Sequence, residues 1–160
     1  MTPSETAILV RREDPWSLDA QALLDELSAM LALFSGDSGQ SRFSLEDVCT
    51  ARGGFLVART TQGIALGCGA FRRFDYGVAE IKRIYSRPNT CGVGRAILGQ
   101  LEADAAAVGY HTLLLETRSF NQRAIAFYQR NGFTPTGRYG VHIHQPDARC
   151  FQKAIGGKPE

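Results

Sequence analysis

The run from Glu80 to Leu101, EIKRIYSRPNTCGVGRAILGQL, constrains this chain more than any other stretch. It reads as a strand, a short loop holding Gly92-x-Gly94, and an amphipathic helix. Pro88 ends the strand because it has no N–H for a ladder. The glycines let the backbone turn tightly and approach another molecule closely. Val93, Ala96, Ile97, Leu101, Ala105 and Val108 recur at the 3.6-residue period and predict a helix over 92–108 with one apolar side. Its first turn carries Arg95 and no carboxylate, so its free N–H groups and positive dipole end suit an anion, most simply a phosphate. An ordinary βα turn would read the same way. The stretch is not a dinucleotide fingerprint, since Ile97 stands where a third glycine belongs, and no Gly-Lys-Ser/Thr phosphate loop occurs in the chain.

Around this unit the periodicity alternates between two types. Residues 6–12 predict a first strand, broken by Asp14-Pro15. Ser17 is a candidate N-cap for a helix carrying Leu18, Leu23, Leu24, Leu27, Leu31 and Phe34. The polar, glycine-rich segment 35–41 predicts a loop, and Ser44-Leu45-Glu46-Asp47 a capped start for a short helix over 44–50. Apolar runs at 54–60 and 64–74 flank Thr61-Gln62-Gly63, a hairpin signal, and Asp75-Tyr76-Gly77 turns into a strand over 78–86. Strand alternation then puts Glu80, Lys82, Ile84 and Ser86 on one face. Gly109 ends the following helix, 111–117 reads as a buried strand, Asn121 caps a helix over 122–130, and Asn131-Gly132 closes it. Phe133-Thr134-Pro135 begins an extended segment, 149–155 is the last strand, and 156–160 a frayed tail. The order β-α-α-β-β-β-α-β-α-β-β implies the α+β class: a mixed sheet with helices on its faces.

The 160 residues fit one domain, and the net charge of +2 is too small for a nucleic-acid surface. No apolar run reaches membrane-span length and the first residues lack a signal-peptide pattern. Cys49, Cys68, Cys91 and Cys150 are scattered without CxxC spacing, which predicts reduced thiols and a cytoplasmic location. His142-x-His144 has metal-like spacing but no third ligand nearby, so no metal is expected.

Three pieces in order resemble the GCN5-related N-acetyltransferase (GNAT) superfamily. They are Ile84-Tyr85-Ser86-Arg87-Pro88 leading into Gly92-Val93-Gly94-Arg95-Ala96-Ile97-Leu98, then Leu113-Leu114-Leu115-Glu116, and then Asn121-Gln122-Arg123-Ala124-Ile125-Ala126-Phe127-Tyr128-Gln129-Arg130-Asn131-Gly132-Phe133. The last is similar to the family's N-x-x-A-x-x-x-Y-x-x-x-G-F. At one place the chain departs from the pattern: Asn89 stands in the Arg/Gln position, and the loop is two residues shorter.

The resemblance implies a mixed, mostly antiparallel sheet of six to seven strands flanked by about four helices, in one acyltransferase domain over 1–160. Within it, 1–53 would supply the first strand and the acceptor-side helices, and 54–155 the acyl-CoA-binding core. It also implies acetyl-CoA as co-substrate. The strand end Ile84, Tyr85 and Ser86 would offer main-chain hydrogen bonds to the pantetheine arm. Cys91, Gly92, Val93, Gly94, Arg95 and Ala96 would hold the pyrophosphate, and Asn121, Ala124 and Phe127 would complete the cofactor site. The implied partners are a small-molecule amine acceptor and a second copy of the chain through its last strands, with no nucleic acid and no membrane.

Such a transfer needs a neutral amine, a stabilised carbonyl oxygen and a proton for the departing thiolate. An alkylamine with a pKa of ~10.4 arrives protonated, so a base must act first. A phenol (~10) is a suitable proton donor to a thiolate whose conjugate acid has a pKa of ~8.5. Tyr128, in the family's tyrosine position, is the candidate acid, although its helical spacing also suits a core residue. Glu80 and Glu116 are the candidate bases; either could instead pair with Lys82 or Arg83. Glu80 is preferred for a small-molecule enzyme. A protein N-terminal or lysine acetyltransferase, and a non-catalytic acyl-CoA-binding protein, are the alternatives.

Overall fold

The structure is a computed structural model and describes residues 7–35 and 44–156. The predicted loop over 35–41 lies almost wholly outside the described residues, as does the tail after Gly156. The elements follow the expected order: β1 (Leu9–Arg12), α1 (Leu18–Ser35), α2 (Leu45–Val48), β2 (Gly54–Arg59), β3 (Ala65–Asp75), β4 (Val78–Ser86), α3 (Val93–Ala107), β5 (Thr112–Arg118), α4 (Gln122–Arg130), β6 (Thr134–Thr136) and β7 (Ala148–Ala154). A single 3-10 turn, Gly140–His142, lies between β6 and β7.

The seven strands form one sheet in the order β1-β2-β3-β4-β5-β7-β6. Every neighbouring pair is antiparallel except β4 and β5. That pair is parallel because α3 returns the chain to the same end of the sheet before β5 begins. α3 covers one face, where Val93, Ile97, Leu98, Leu101 and Ala105 pack on Leu56, Phe71, Ile81, Leu113 and Phe151. α4 joins that face through Ile125, Phe127 and Tyr128. α1 and α2 cover the other face with Ala20, Leu23, Leu24, Leu27 and Val48 over Phe55, Val57, Ala70 and Tyr85. The close seat of α3 depends on glycine in β3: a Cβ on Gly69 would lie 2.7 Å from Ile97.

Three local expectations are corrected. Leu18 is 90% exposed rather than part of the packed stripe of α1. At 100° per residue it lies about 160° around the helix from Ala20, opposite the buried side. Ser44 occupies the N-cap position of α2 but makes no side-chain cap hydrogen bond, and that helix spans only Leu45–Val48. Ser17 does cap α1, accepting the Ala20 N–H at 3.2 Å.

The third correction concerns the alternation of β4. Its register against β3 slips between Cys68↔Tyr85 and Ala70↔Lys82, so β4 carries one extra residue there. Arg83 takes a φ of 59°, the conformation of a bulge. Lys82 pairs with Ala70 and Tyr85 with Cys68, both on the α1 face, whereas Ile84 packs in the α3 cluster and Ser86 lies beside Gly94 of α3. Glu80 and Lys82 are therefore on the opposite face from Ile84 and Ser86. The bulge shifts the phase of the strand by one residue.

Candidate active site

Pairing between β4 and β5 lasts for three residues, Val78↔Thr112, Ala79↔Leu113 and Glu80↔Leu114, and then the strands part. The parting is stabilised on each side by a different neighbour. β5 stays with β7 through Arg118↔Ala148, and β4 stays with β3 through Gly67↔Ser86. A cleft opens between them, lined by Glu80 to Ile84 on one strand and Leu115 to Thr117 on the other. Leu27, Met30 and Leu31 of α1 wall it from one face, and Asn121, Ala124 and Tyr128 from the other. The parting thus lets groups on opposite faces of the sheet meet.

Glu80 sits where the strands separate, 1% exposed. Its Oε1 accepts from Arg72 Nε at 3.0 Å and lies 2.7 Å from Arg72 Nη2. Its Oε2 accepts the Tyr139 hydroxyl at 2.6 Å and lies 3.5 Å from Lys82 Nζ. Burial pushes this carboxyl up, but the charges of Lys82 and Arg72 and the hydrogen bond from the Tyr139 hydroxyl outweigh it and hold the group at about 2. Lys82 responds in the ordinary way for a buried ammonium: burial lowers it and the charge of Glu80 opposes that. Tyr139 is pushed up by burial and by the same carboxylate.

Glu116 lies two residues beyond Leu114, the partner of Glu80, and so on the same face of the sheet. Its Oε2 is 2.8 Å from Arg118 Nε without hydrogen-bond alignment, and Arg118 also reaches Asp147 at 3.3 Å. Tyr128 approaches from α4, its ring edge-on to Phe127 and Phe133 at 5.2 and 5.8 Å. No hydrogen bond ties its hydroxyl to a described residue. Burial raises this phenol, and the charge of Glu116 raises it further. It is thus held in its protonated form, as an acid must be. The three sequence candidates Tyr128, Glu80 and Glu116 line one cleft.

The glycine loop lies at the open end of β4. Gly92 is the N-cap of α3 with φ 77°, and the first turn holds no acidic residue. The amides of Val93, Gly94 and Arg95 precede the first intrahelical bond, Ala96 N–H to Gly92 C=O at 3.1 Å, and remain for an external acceptor. A Cβ at Gly94 would lie 3.1 Å from the Phe127 ring and 3.4 Å from Ser86 Oγ, so glycine here lets α4 and the end of β4 sit close against the first turn of α3. This arrangement fits a pyrophosphate. Asn89, at the departure from the family pattern, takes φ 63° and turns the loop directly. Arg87 points away, donating to Glu26 of α1 at 3.0 and 2.7 Å, whereas Arg95 and Cys91 are exposed beside the loop. Tyr85 also turns to Glu26, its hydroxyl donating at 3.0 Å, which leaves the main chain of Ile84, Tyr85 and Ser86 to face the parting. Asn121 caps α4 by accepting the Ala124 N–H at 3.2 Å.

The profile of the acetyltransferase (GNAT) family matches residues 21–133. The chain belongs to this family. Along 151 residues it is 30% identical to an IAA acetyltransferase of Azospirillum brasilense, covering 92% of this chain and 98% of that protein. The solved structure of a Klebsiella pneumoniae protein proposed as an acyl-CoA N-acyltransferase superposes with a TM-score of 0.78 at 28% identity, covering 92% of this chain and 97% of the other. A GNAT acetyltransferase from Elizabethkingia anophelis with acetyl-CoA bound shares the fold, with a TM-score of 0.69 at 17% identity over 92% and 98% of the two chains. The chain is thus an N-acetyltransferase with the mixed seven-stranded sheet of that family.

Two residues that contact the cleft carboxylates leave no trace in the sequence. Tyr139 and Arg118 carry no motif or periodic signal. His142 was noted only for its spacing to His144, yet it is buried at 1% exposure between both glutamates. Among the described residues no group of three or more His, Cys, Asp or Glu side chains is arranged to hold a metal ion, and no helix is long and apolar enough to cross a membrane.

Proposed function

We propose that this acetyltransferase moves the acetyl group of acetyl-CoA to the amine of a small molecule by direct attack. One observation carries the reading: the parting of β4 and β5 brings Glu80, Glu116 and Tyr128 to a single cleft, and the same strand β4 leads on to the glycine-opened start of α3. The amides of Val93, Gly94 and Arg95 hold the pyrophosphate, and the main chain of Ile84 to Ser86 receives the pantetheine arm. Cys91, Ala96, Asn121, Ala124 and Phe127 complete that wall. Acetyl-CoA, as co-substrate, supplies an activated acyl carbon and a thiolate leaving group. Glu80 and Glu116 draw in the acceptor's ammonium and remove its proton. Main-chain N–H groups at the β4 bulge face the developing oxyanion. Tyr128 gives its proton to the thiolate and regains one from the nitrogen of the new amide, so one proton is released per turnover.

The apolar side chains Leu27, Met30 and Leu31 of α1 close over the cleft and favour a compact acceptor over a polypeptide. The free thiols of all four cysteines agree with a cytoplasmic enzyme. The test is calorimetric titration with acetyl-CoA, CoA and ATP, followed by thiol release with tyramine, spermidine, L-methionine and a serine-terminated hexapeptide. Binding of acetyl-CoA and CoA but not ATP, with a small amine acetylated fastest, is expected. Fastest turnover of the peptide would overturn the acceptor class, and absence of acetyl-CoA binding would overturn the donor site.

A further inference from the structure

His142 has no role in the chemistry above, yet it stands directly behind both cleft carboxylates. Its Nδ1 lies 3.0 Å from Gln145 Oε1 and 3.8 Å from Glu116 Oε1. Its Nε2 lies 3.8 Å from Glu80 Oε2, beyond hydrogen-bond range, and has no hydrogen-bond partner although it is buried. An amide oxygen can only accept, so the Gln145 contact assigns the ring proton to Nδ1. Nε2 is then a buried lone pair facing a carboxylate, the one arrangement at this position that a proton would improve.

Charged and titratable groups from several elements enclose the ring. Glu80 on β4 faces the ring together with Glu116 on β5, and Tyr139 packs edge-on to it at 5.4 Å. Cys150 on β7 senses both carboxylates and is held protonated, pushed up chiefly by burial. Behind them, Arg72 and Lys82 pair with Glu80, and Arg118 with Glu116. Arg72 also pairs with Asp47 at 3.6 Å and Arg118 with Asp147 at 3.3 Å, so the three cations are shared among four carboxylates.

We propose that the proton taken from the acceptor amine comes to rest on Nε2 of His142, passed through Glu80. The inference rests on the transferase reading above. One N–H bond of the acceptor ammonium breaks and its electron pair stays on nitrogen, which becomes the nucleophile. The proton crosses Glu80 Oε2 and forms an N–H bond at Nε2; Glu80 is again a carboxylate and the ring an imidazolium. When product leaves, the proton returns by the same route to water. The relay gives Glu80, a carboxylate held low, the part of a conductor, with the unpartnered Nε2 of His142 as the place where the proton stays. Acting through Glu80, His142 is a positioning residue.

Two measurements on the full chain decide the matter. The first is 15N NMR of histidine-labelled protein without ligands at pH 8.5, with His142 assigned by His142→Gln. The Nδ1–H tautomer is expected; an Nε2–H tautomer, donating toward Glu80, overturns the relay. The second is steady-state kinetics of His142→Gln with acetyl-CoA and the fastest amine of the panel above. A fall in kcat of tenfold or more is expected, with KM for acetyl-CoA within twofold and a displaced acid limb of kcat/KM for the amine. A kcat within twofold of wild type, or a lowered kcat with the acid limb unmoved, overturns it. Should His142→Gln not fold by circular dichroism, the wild-type tautomer decides, with the resonance assigned through His111→Gln and His144→Gln instead. Wild-type protein that acetylates no amine would defeat the functional reading, an outcome the tautomer measurement keeps separate.

Discussion

The two halves of the proposed site are built by different means. The donor end, from Ile84 through α3, is backbone: a strand end, free amides, and glycines where a side chain would intrude. The proton end is side chain: Glu80 held by Arg72 and Tyr139, Glu116 beside Arg118, and His142 from the segment between β6 and β7. The donor end is assembled from residues close in sequence. The proton end draws partners from positions 72 to 142, across three strands. A backbone site tolerates changes of side chain so long as nothing is added, whereas a side-chain site fails when any one member is removed.

That contrast can be broken at several points. The largest effect is expected at Glu80. Its carboxyl is lowered to about 2 in the fold, from an ordinary 4.5. A lowered folded value means stability that is fully present above pH ~4.5 and lost as pH falls toward ~2, about 3 kcal/mol in all. Glu80→Gln should lose that amount at pH 7 and show a urea midpoint that falls less between pH 5 and 2.5 than the wild-type midpoint does. A wild-type midpoint that does not fall in that range would show that the carboxylate contributes no such stability.

Next comes Tyr128→Phe, which should reduce kcat about 100-fold, the low end of general-acid contributions, while acetyl-CoA affinity by calorimetry stays within about twofold. Full turnover would return Tyr128 to the role of a core residue. At the donor end, Gly94→Ala places a methyl against the Phe127 ring and the pyrophosphate surface. It should weaken acetyl-CoA binding about tenfold, some 1.4 kcal/mol, with kcat at saturation little changed. The smallest effect is expected for Cys91→Ser beside the cradle, within about twofold in both kcat and KM. A dead Cys91→Ser enzyme would point to a covalent route in place of direct attack.

The same contrast governs what the sequence revealed. The element order and the glycine loop that opens α3 are legible, because each is written in contiguous residues with a period or a turn signal. Asn121 capping α4 and Gly92 opening α3 were readable for the same reason. The bulge at Arg83 was not: a β-bulge leaves the residue types of a strand unchanged and shows only in its register. Nor were Tyr139 and His142 legible as site residues, since they lie in an irregular segment brought home by the pairing of β7 with β5 and β6. Strand alternation alone would have set Glu80 and Ser86 side by side.

The bulge also bears on how this protein can change. Because β4 presents its acidic and basic side chains to one face and its donor-side end to the other, the count of residues between Glu80 and Ser86 matters more than their identity. Removing one residue in that interval would erase the bulge and restore regular pairing with β3, leaving Ile84 toward α3 and Tyr85 toward α1 but taking away the break in the ladder. A change of length in this strand thus acts on the bulge and the main-chain groups it frees, whereas a change of identity acts on the side chains of the cleft.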